Sequence, residues 1–457
     1  MIFAHARYAR RAEAPQQRGS RHVDQRSGSP VKDFLTRRRR PGWRQHPLAR
    51  VGPGLITGVA DDDPGGIATY SQAGAAFGLQ LLWTMPFAFP LMAAMQSLCA
   101  RIGRVTGKGL AANIRAHFPP GVLYAVVGLL VLANTLNIAA DVAAMGEAAA
   151  LVTGVDRHLL TTLLVVLTVV LQVFVPYHRY VKFLKWLTLS LLAYAGVLFT
   201  VEVPWRAVLV HSLWPQLAFN KESLAMVVAL LGTTISPYLF FWQASEEVED
   251  LGRRRHARAL VDSPAAAPAE LRRIAWDTWS GMFYSNVTAW LVMLVTAVTL
   301  HAAGITTVTT AAKAAEALRP LAGEFAFGLF ALGIVGVGLI GVPVLAGSAA
   351  YAVAEALGWR FGLEHRVREA PGFYAVLAGS VLLGLFAQFL PIAPLTALFY
   401  SAVINGVVAV PLMGVILLLA RRPEVMGPFV ARGLTLWLGW LAVLVMGAAA
   451  VAMFVLA

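Results

Sequence analysis

One cysteine, Cys99, stands in 457 residues, so neither an intramolecular disulfide nor a CxxC metal or redox pair is possible. Charge is scarce too: 13% of residues are Asp, Glu, Lys or Arg, against roughly 25% in an ordinary soluble domain. With 58% hydrophobic residues and a mean hydropathy of +0.67, the composition excludes a soluble globular fold. No apolar core of a secretory signal precedes Val51, and the first hydrophobic segment is expected to act as the insertion signal. What the chain does have is a succession of long apolar runs after residue 50. They imply an all-α, polytopic membrane domain over residues 51–457, entered from a basic, disordered, cytoplasmic arm over residues 1–50.

The formal charge of +13 is concentrated in that arm, which carries 13 Lys or Arg against Glu13, Asp24 and Asp33. The rest of the chain is nearly neutral, with 24 bases and 21 acids. A basic arm on an apolar body fits topology signalling and anionic lipid head groups. The run Arg37 to Arg40 has no interleaved aromatics for stacking bases, so nucleic acid is not an expected partner.

Windows of about 20 apolar residues, the length of a membrane crossing, fall into eleven spans. They cover residues 51–77, 80–100, 122–152, 159–176, 184–203, 223–248, 276–302, 321–355, 372–390, 394–420 and 433–456. Cytoplasmic loops collect Lys and Arg. With the N-terminus inside, alternate loops divide the 24 bases 19 to 5, with Arg179, Lys182 and Lys185 or Arg253 to Arg255 inside and Arg157 or Lys313 outside. The expected topology is therefore a multi-pass cell-membrane protein with a cytoplasmic N-terminus and an external C-terminus. Residues 249–273, with the segment SPAAAPAE, read as a flexible cytoplasmic connector without chemistry of its own. Gly336, Gly338 and Gly341 form a formal GxGxxG, but no strand precedes it and no acid follows at the required distance, which excludes a dinucleotide site.

Two spans are interrupted. In the first, Asp61-Asp62-Asp63-Pro64-Gly65-Gly66 places three carboxylates at hydrocarbon depth beside residues that break helices. A half-helix should end near Ala60, and Pro64 should open a second with Asp63 as its N-cap. The sixth span repeats the device at Gly232-Thr233-Thr234-Ile235-Ser236-Pro237-Tyr238, where Ser236 is placed to cap and Pro237 to start the second half. Interrupted helices at spans 1 and 6 mark a 5+5 inverted repeat plus one, whose site lies at the midplane between the breaks. The carbonyls near Ala60 and Thr233, the Asp63 carboxylate and the Ser236 hydroxyl would make an oxygen-only set suited to Mg2+, Ca2+ or Mn2+. Successive helical residues point ~100° apart, so Asp61 and Asp62 are expected to line an approach or to bond backbone groups.

Gly52-Pro53-Gly54-Leu55, Asp63-Pro64-Gly65, Ala68-Thr69 and Gln72-Ala73-Gly74-Ala75 resemble the first helix of the natural resistance-associated macrophage protein (Nramp) family of divalent-metal transporters. Gly341 to Gly347 resembles the family's transport-signature region. The resemblance implies the LeuT-type fold with eleven helices and no resident cofactor, the divalent cation being cargo. The chain departs from the family at three places. Gly66 stands where the family's helix 1 pattern has Asn, and Ser236-Pro237-Tyr238 replaces Met-Pro-His. Asp141-Val142-Ala143-Ala144 replaces Asp-x-Ala-Glu. The missing thioether, histidine and glutamate look like the magnesium-transporting branch. Gly66 and Ser236 would then meet the ion mainly through water, since Mg2+ dehydrates reluctantly.

Gln243 and Glu247 share a helical face and could extend a polar path from Ser236 and Tyr238; alternatively Glu246, Glu247, Glu249 and Asp250 form the solvated end of that helix. Asp141, Glu147 and Asn137 could line the same cavity or act as polar glue. His178 and His365 read as loop residues. The expected function is alternating-access transport of a divalent cation, Mg2+ first, with no covalent chemistry and no implied oligomeric state. The alternatives are proton-coupled Mn2+ or Fe2+ transport, and a receptor or scaffold that keeps the fold without transport. Because the recognisable body begins near Val51, a chain starting at Val31 is expected to retain metal uptake in proteoliposomes. Loss of uptake on removing residues 1–30 would contradict this.

Overall fold

The structure, a computed structural model, describes residues 53–175, 191–254, 257–363, 365–386, 389 and 393–455, and every regular element among them is helical. The basic arm, residues 184–190 of the fifth span, the loop bases Arg179, Lys182 and Lys185, and His178 lie outside the described residues.

The first span is split into α1 (Pro53–Asp61) and α2 (Pro64–Phe77). There follow α3 (Thr84–Thr106), α4 (Leu110–His117), α5 (Pro120–Thr153), α6 (Arg157–Phe174), α7 (Leu192–Val197) and α8 (Trp205–Leu213). The sixth span is split into α9 (Lys221–Thr234) and α10 (Pro237–Arg253). Next come α11 (Ala267–Thr296), continued by a wider turn over Ala297–His301, and α12 (Ala311–Ala315). The last four are α13 (Ala326–Leu357), α14 (Pro371–Phe386), α15 (Pro394–Arg421) and α16 (Leu434–Val455).

Proline supplies many of the starts. It stands in the first turn of α2, α5, α10 and α15, where a missing N–H costs nothing and its φ suits a helix. Glycine supplies stops: Gly107, Gly154 and Gly358 close α3, α5 and α13 in the left-handed conformation, each N–H returning to the last turn. Among the described residues, seven helical stretches are long and apolar enough to cross a membrane, and they correspond to spans 3, 4, 6, 7, 8, 10 and 11. Span 1 is divided between two shorter helices, and α3 carries Gln96, Arg101 and Arg104. Helix α14 has 16 residues.

The packing has the exchange symmetry of two related halves. Helix α2 packs on α11, and its counterpart α10 packs on α3; α5 packs on α6, and its counterpart α13 packs on α14. Helices α5 and α13 pack on each other, with the Asn134 amide of α5 donating to the Leu345 carbonyl at 2.9 Å and to Ser348 at 2.7 Å. Buried side chains thus run continuously through the bundle.

Two corrections to the sequence reading concern the connector over residues 249–273. It is helical at both ends, and its middle is strapped to α3 by bonds from the Leu260 and Val261 N–H groups to the Arg104 and Val105 carbonyls, each 3.2 Å. It also carries an ion network: Arg273 pairs with Glu247 at 2.5 Å and with Glu270 at 3.0 Å. Arg104 pairs with Glu270 at 3.1 Å, and Arg254 with Asp250 at 2.7 Å. Glu246 and Glu247 are consequently buried rather than forming a solvated helix end, because Arg273 supplies Glu247 with the charge that water would otherwise screen.

Helix α1 lies unusually close to α11. A Cβ at Gly58 would stand 2.2 Å from the Gly281 carbonyl oxygen, and one at Gly281 would stand 2.2 Å from the Gly54 oxygen. That approach brings Asp277 to the start of α1, where its carboxylate accepts the Gly54 N–H at 2.7 Å and the Leu55 N–H at 3.3 Å. The free donors of α1's first turn are therefore satisfied from a neighbouring helix. Gly58→Val is expected to force α1 off α11, at a cost of about 1–3 kcal/mol or more for overpacking, read as a lower thermal midpoint in detergent. Gly252→Ala, where an added Cβ meets nothing within 4 Å, serves as the control and should not shift it.

Candidate functional site

Asp63 and Pro64 make the first break as the sequence requires. Asp63 is extended (φ −75°, ψ 173°), and its Oδ1 accepts the Gly66 N–H at 2.7 Å as N-cap of α2. Its Oδ2 accepts the hydroxyl of Tyr238, from the first turn of α10, at 2.9 Å. The same hydroxyl lies 3.3 Å from the Ala60 carbonyl oxygen, on the last turn of α1. Three elements therefore converge on one carboxylate that is only 5% exposed.

Glycines make room for it. A Cβ at Gly341 of α13 would stand 3.0 Å from the Asp63 Cβ, so the transport-signature segment forms the wall behind the carboxylate. A Cβ at Gly65 would be 3.1 Å from Asp63 Oδ1 and 3.8 Å from Asp141 Oδ1, which places the Asp141 carboxylate of α5 on the same side of the break. Both Asp141 oxygens are buried without a hydrogen-bond partner. A Cβ at Gly66 would lie 3.4 Å from both the Asp61 carbonyl oxygen and Thr233 Oγ1, so Gly66 faces the end of α9. The structure thus brings together Ala60, Asp63, Gly66, Thr233, Tyr238 and Asp141.

Ser236 does not cap α10. Its hydroxyl turns back and donates to the Thr233 carbonyl at 2.6 Å and the Gly232 carbonyl at 3.1 Å, because those are the unpaired acceptors at the end of α9. One lone pair of the Thr233 carbonyl is occupied in this way. Asp61 and Asp62 bond a side chain rather than backbone groups. Ser285 of α11 lies 2.5 Å from Asp61 Oδ2 and 3.1 Å from Asp62 Oδ1. Gln243 accepts the Thr57 hydroxyl of α1 at 2.5 Å, which ties α1 to α10 on the side where Glu247 is held by Arg273. Glu147 is elsewhere: it accepts the Ala311 N–H at 2.9 Å at the start of α12. His365 sits in a turn, 3.4 Å from Glu369, as a loop residue should.

Ser285 and Thr57 were not singled out in the sequence, although Ser285-Asn286 in the middle of an apolar span was a readable signal. Among the described residues no three His, Cys, Asp or Glu side chains form a closed metal cluster. None of the ion pairs involves Asp61, Asp62, Asp63 or Asp141. The break therefore holds one carboxylate with two donors and, among the described residues, no basic partner, which favours a cation.

The profile described as natural resistance-associated macrophage protein-like (Nramp) matches residues 54–456. Similar curated proteins include the divalent metal cation transporter MntH of Acidiphilium cryptum, 29% identical over 48% of this chain and 50% of that protein. MntH 1 of Pseudomonas aeruginosa is 30% identical over 61% of this chain and 63% of its own length, and MntH of Klebsiella pneumoniae is 30% identical over 63% and 68%. The matched segment thus spans about half to two thirds of these relatives. Among solved structures, the Eremococcus coleocola manganese transporter superposes with a TM-score of 0.71 at 18% identity, covering 90% of this chain and 86% of that one. Mhp1, a nucleobase-cation-symport-1 family transporter, superposes with 0.53 at 12% identity, covering 88% and 93%. Both likenesses concern the fold alone. Motif, fold and profile agree over almost all of the body, and the chain belongs to the Nramp family.

Proposed function

We propose that this protein carries a divalent metal cation across a cell membrane by alternating access, with Asp63 as the principal charged ligand. The observation that carries the reading is the Asp63 carboxylate, buried at a helix break between the C-terminal ends of α1 and α9 and, among the described residues, without a basic partner. Helix ends of this kind direct carbonyls and negative dipole charge into the gap. The carbonyl oxygens of Ala60 and Thr233 complete the set, and Gly66 and Ser236 contribute through water. Asp141 adds negative charge from α5. Asp61 and Asp62 add charge from the α11 side, and the buried Gln243 and Glu247 extend a polar path along α10.

Mg2+ is the cargo we assign, one of the hard cations that this donor set suits. Every polar group at the break presents oxygen, with neither thioether nor imidazole, and hard cations select oxygen ligands. A second reading, Mn2+, is supported by the solved relative whose name is manganese transporter. The excess of Lys and Arg in alternate loops supports a cytoplasmic N-terminus, the arm over residues 1–50 beside anionic lipid, and an external C-terminus.

Uptake into proteoliposomes tests the proposal. Asp63→Ala is expected to lower Mg2+ and Mn2+ flux by about 100-fold or more, the scale of losing a buried charge partner at 3–5 kcal/mol. Equal flux in wild type and Asp63→Ala would refute transport through this site. Strong Mn2+ flux that Mg2+ does not compete against would refute Mg2+ as cargo. Accumulation driven by an imposed proton gradient would favour the Mn2+ reading.

A further inference from the structure

We infer that the Tyr238 hydroxyl is the specificity-determining group at the break: it occupies a lone pair of Asp63 so that a cation meets that carboxylate through its water shell. This rests on the divalent-cation reading above and deepens it.

Tyr238 is 1% exposed and belongs to the first turn of α10, so its position is set by the second break and not by the first. Its hydroxyl reaches across to Asp63 Oδ2 at 2.9 Å and to the Ala60 carbonyl at 3.3 Å. A phenol has one proton to donate, and the shorter, charge-assisted bond to the carboxylate takes it. The other carboxylate oxygen already holds the Gly66 N–H at 2.7 Å. Each Asp63 oxygen has therefore given one acceptor position to a protein donor, and a cation seeking direct bidentate contact competes with both.

Cations differ in what that competition costs them. Mg2+ keeps several of its waters and bonds well through them, so an acceptor shared with a tyrosine proton suits it. A cation that exchanges water for carboxylate and carbonyl oxygen more readily loses most from the obstruction. Tyr238 thus discriminates through Asp63, by deciding how much of the carboxylate is available.

Titration calorimetry of purified Tyr238→Phe with MgCl2 and MnCl2 tests this. Removing the hydroxyl should tighten Mn2+ relative to Mg2+ by about tenfold, the worth of one hydrogen bond to a charged group. If Tyr238→Phe does not fold, judged by its thermal midpoint, Tyr238→Leu is equally free of a donor and carries the same expectation. An unchanged Mn2+/Mg2+ ratio, or equal weakening of both metals, would overturn the inference and leave the transport reading standing. Undiminished binding of both metals to Asp63→Ala would instead overturn the metal-site reading on which it rests.

Discussion

The bond from the Gly66 N–H to the Asp63 carboxylate is where the architecture and the site become the same thing. A helix that restarts at hydrocarbon depth exposes four backbone donors, and leaving them bare costs several kcal/mol. Asp63 satisfies one of them and presents its charge to the positive end of α2. Pro64 removes another donor outright. The carboxylate that completes the fold is therefore also the charge that faces the gap. Gly65 and Gly341 are small because any side chain there would displace it.

The second break is built differently. Ser236 gives its hydroxyl to the end of α9, and α10 starts without a side-chain cap. What α10 sends to the first break is Tyr238, so the two halves meet through one phenol, one carboxylate and one carbonyl. Alternating access requires the half-helices to part from their neighbours. Among the described residues the polar ties on α1 are Thr57 to Gln243, Tyr238 beside the Ala60 carbonyl, Ser285 to Asp61, and Asp277 to the first turn. The glycine contact between α1 and α11 contributes packing without side chains that would have to be disentangled.

Much of this was legible in the sequence, for reasons that follow from the bilayer. A membrane helix must be apolar for about 20 residues, so the ends of α5, α15 and α16 fall within two residues of the spans read from hydropathy. Asp63 as N-cap and Pro64 as first helical residue were readable because both roles are local. Ser236 was not, since a serine before a proline can donate backward or accept forward, and only the unpaired carbonyls of α9 decide. Asp61 and Asp62 were expected to line an approach or to bond backbone groups, and their partner Ser285 lies more than 220 positions away, where no local rule reaches. The same holds for Glu247, whose burial depends on Arg273. Distant partners are a matter of packing, and the flat hydropathy of a membrane protein carries little information about which faces meet.

The central claim is that the cation binds at the paired helix breaks. Anomalous X-ray diffraction from crystals soaked in Mn2+ would test it most directly, because manganese scatters anomalously and magnesium does not. The account predicts one strong peak beside the Asp63 carboxylate, between the Ala60 and Thr233 carbonyls, that disappears in Asp63→Ala. A peak elsewhere that survives that substitution would contradict it.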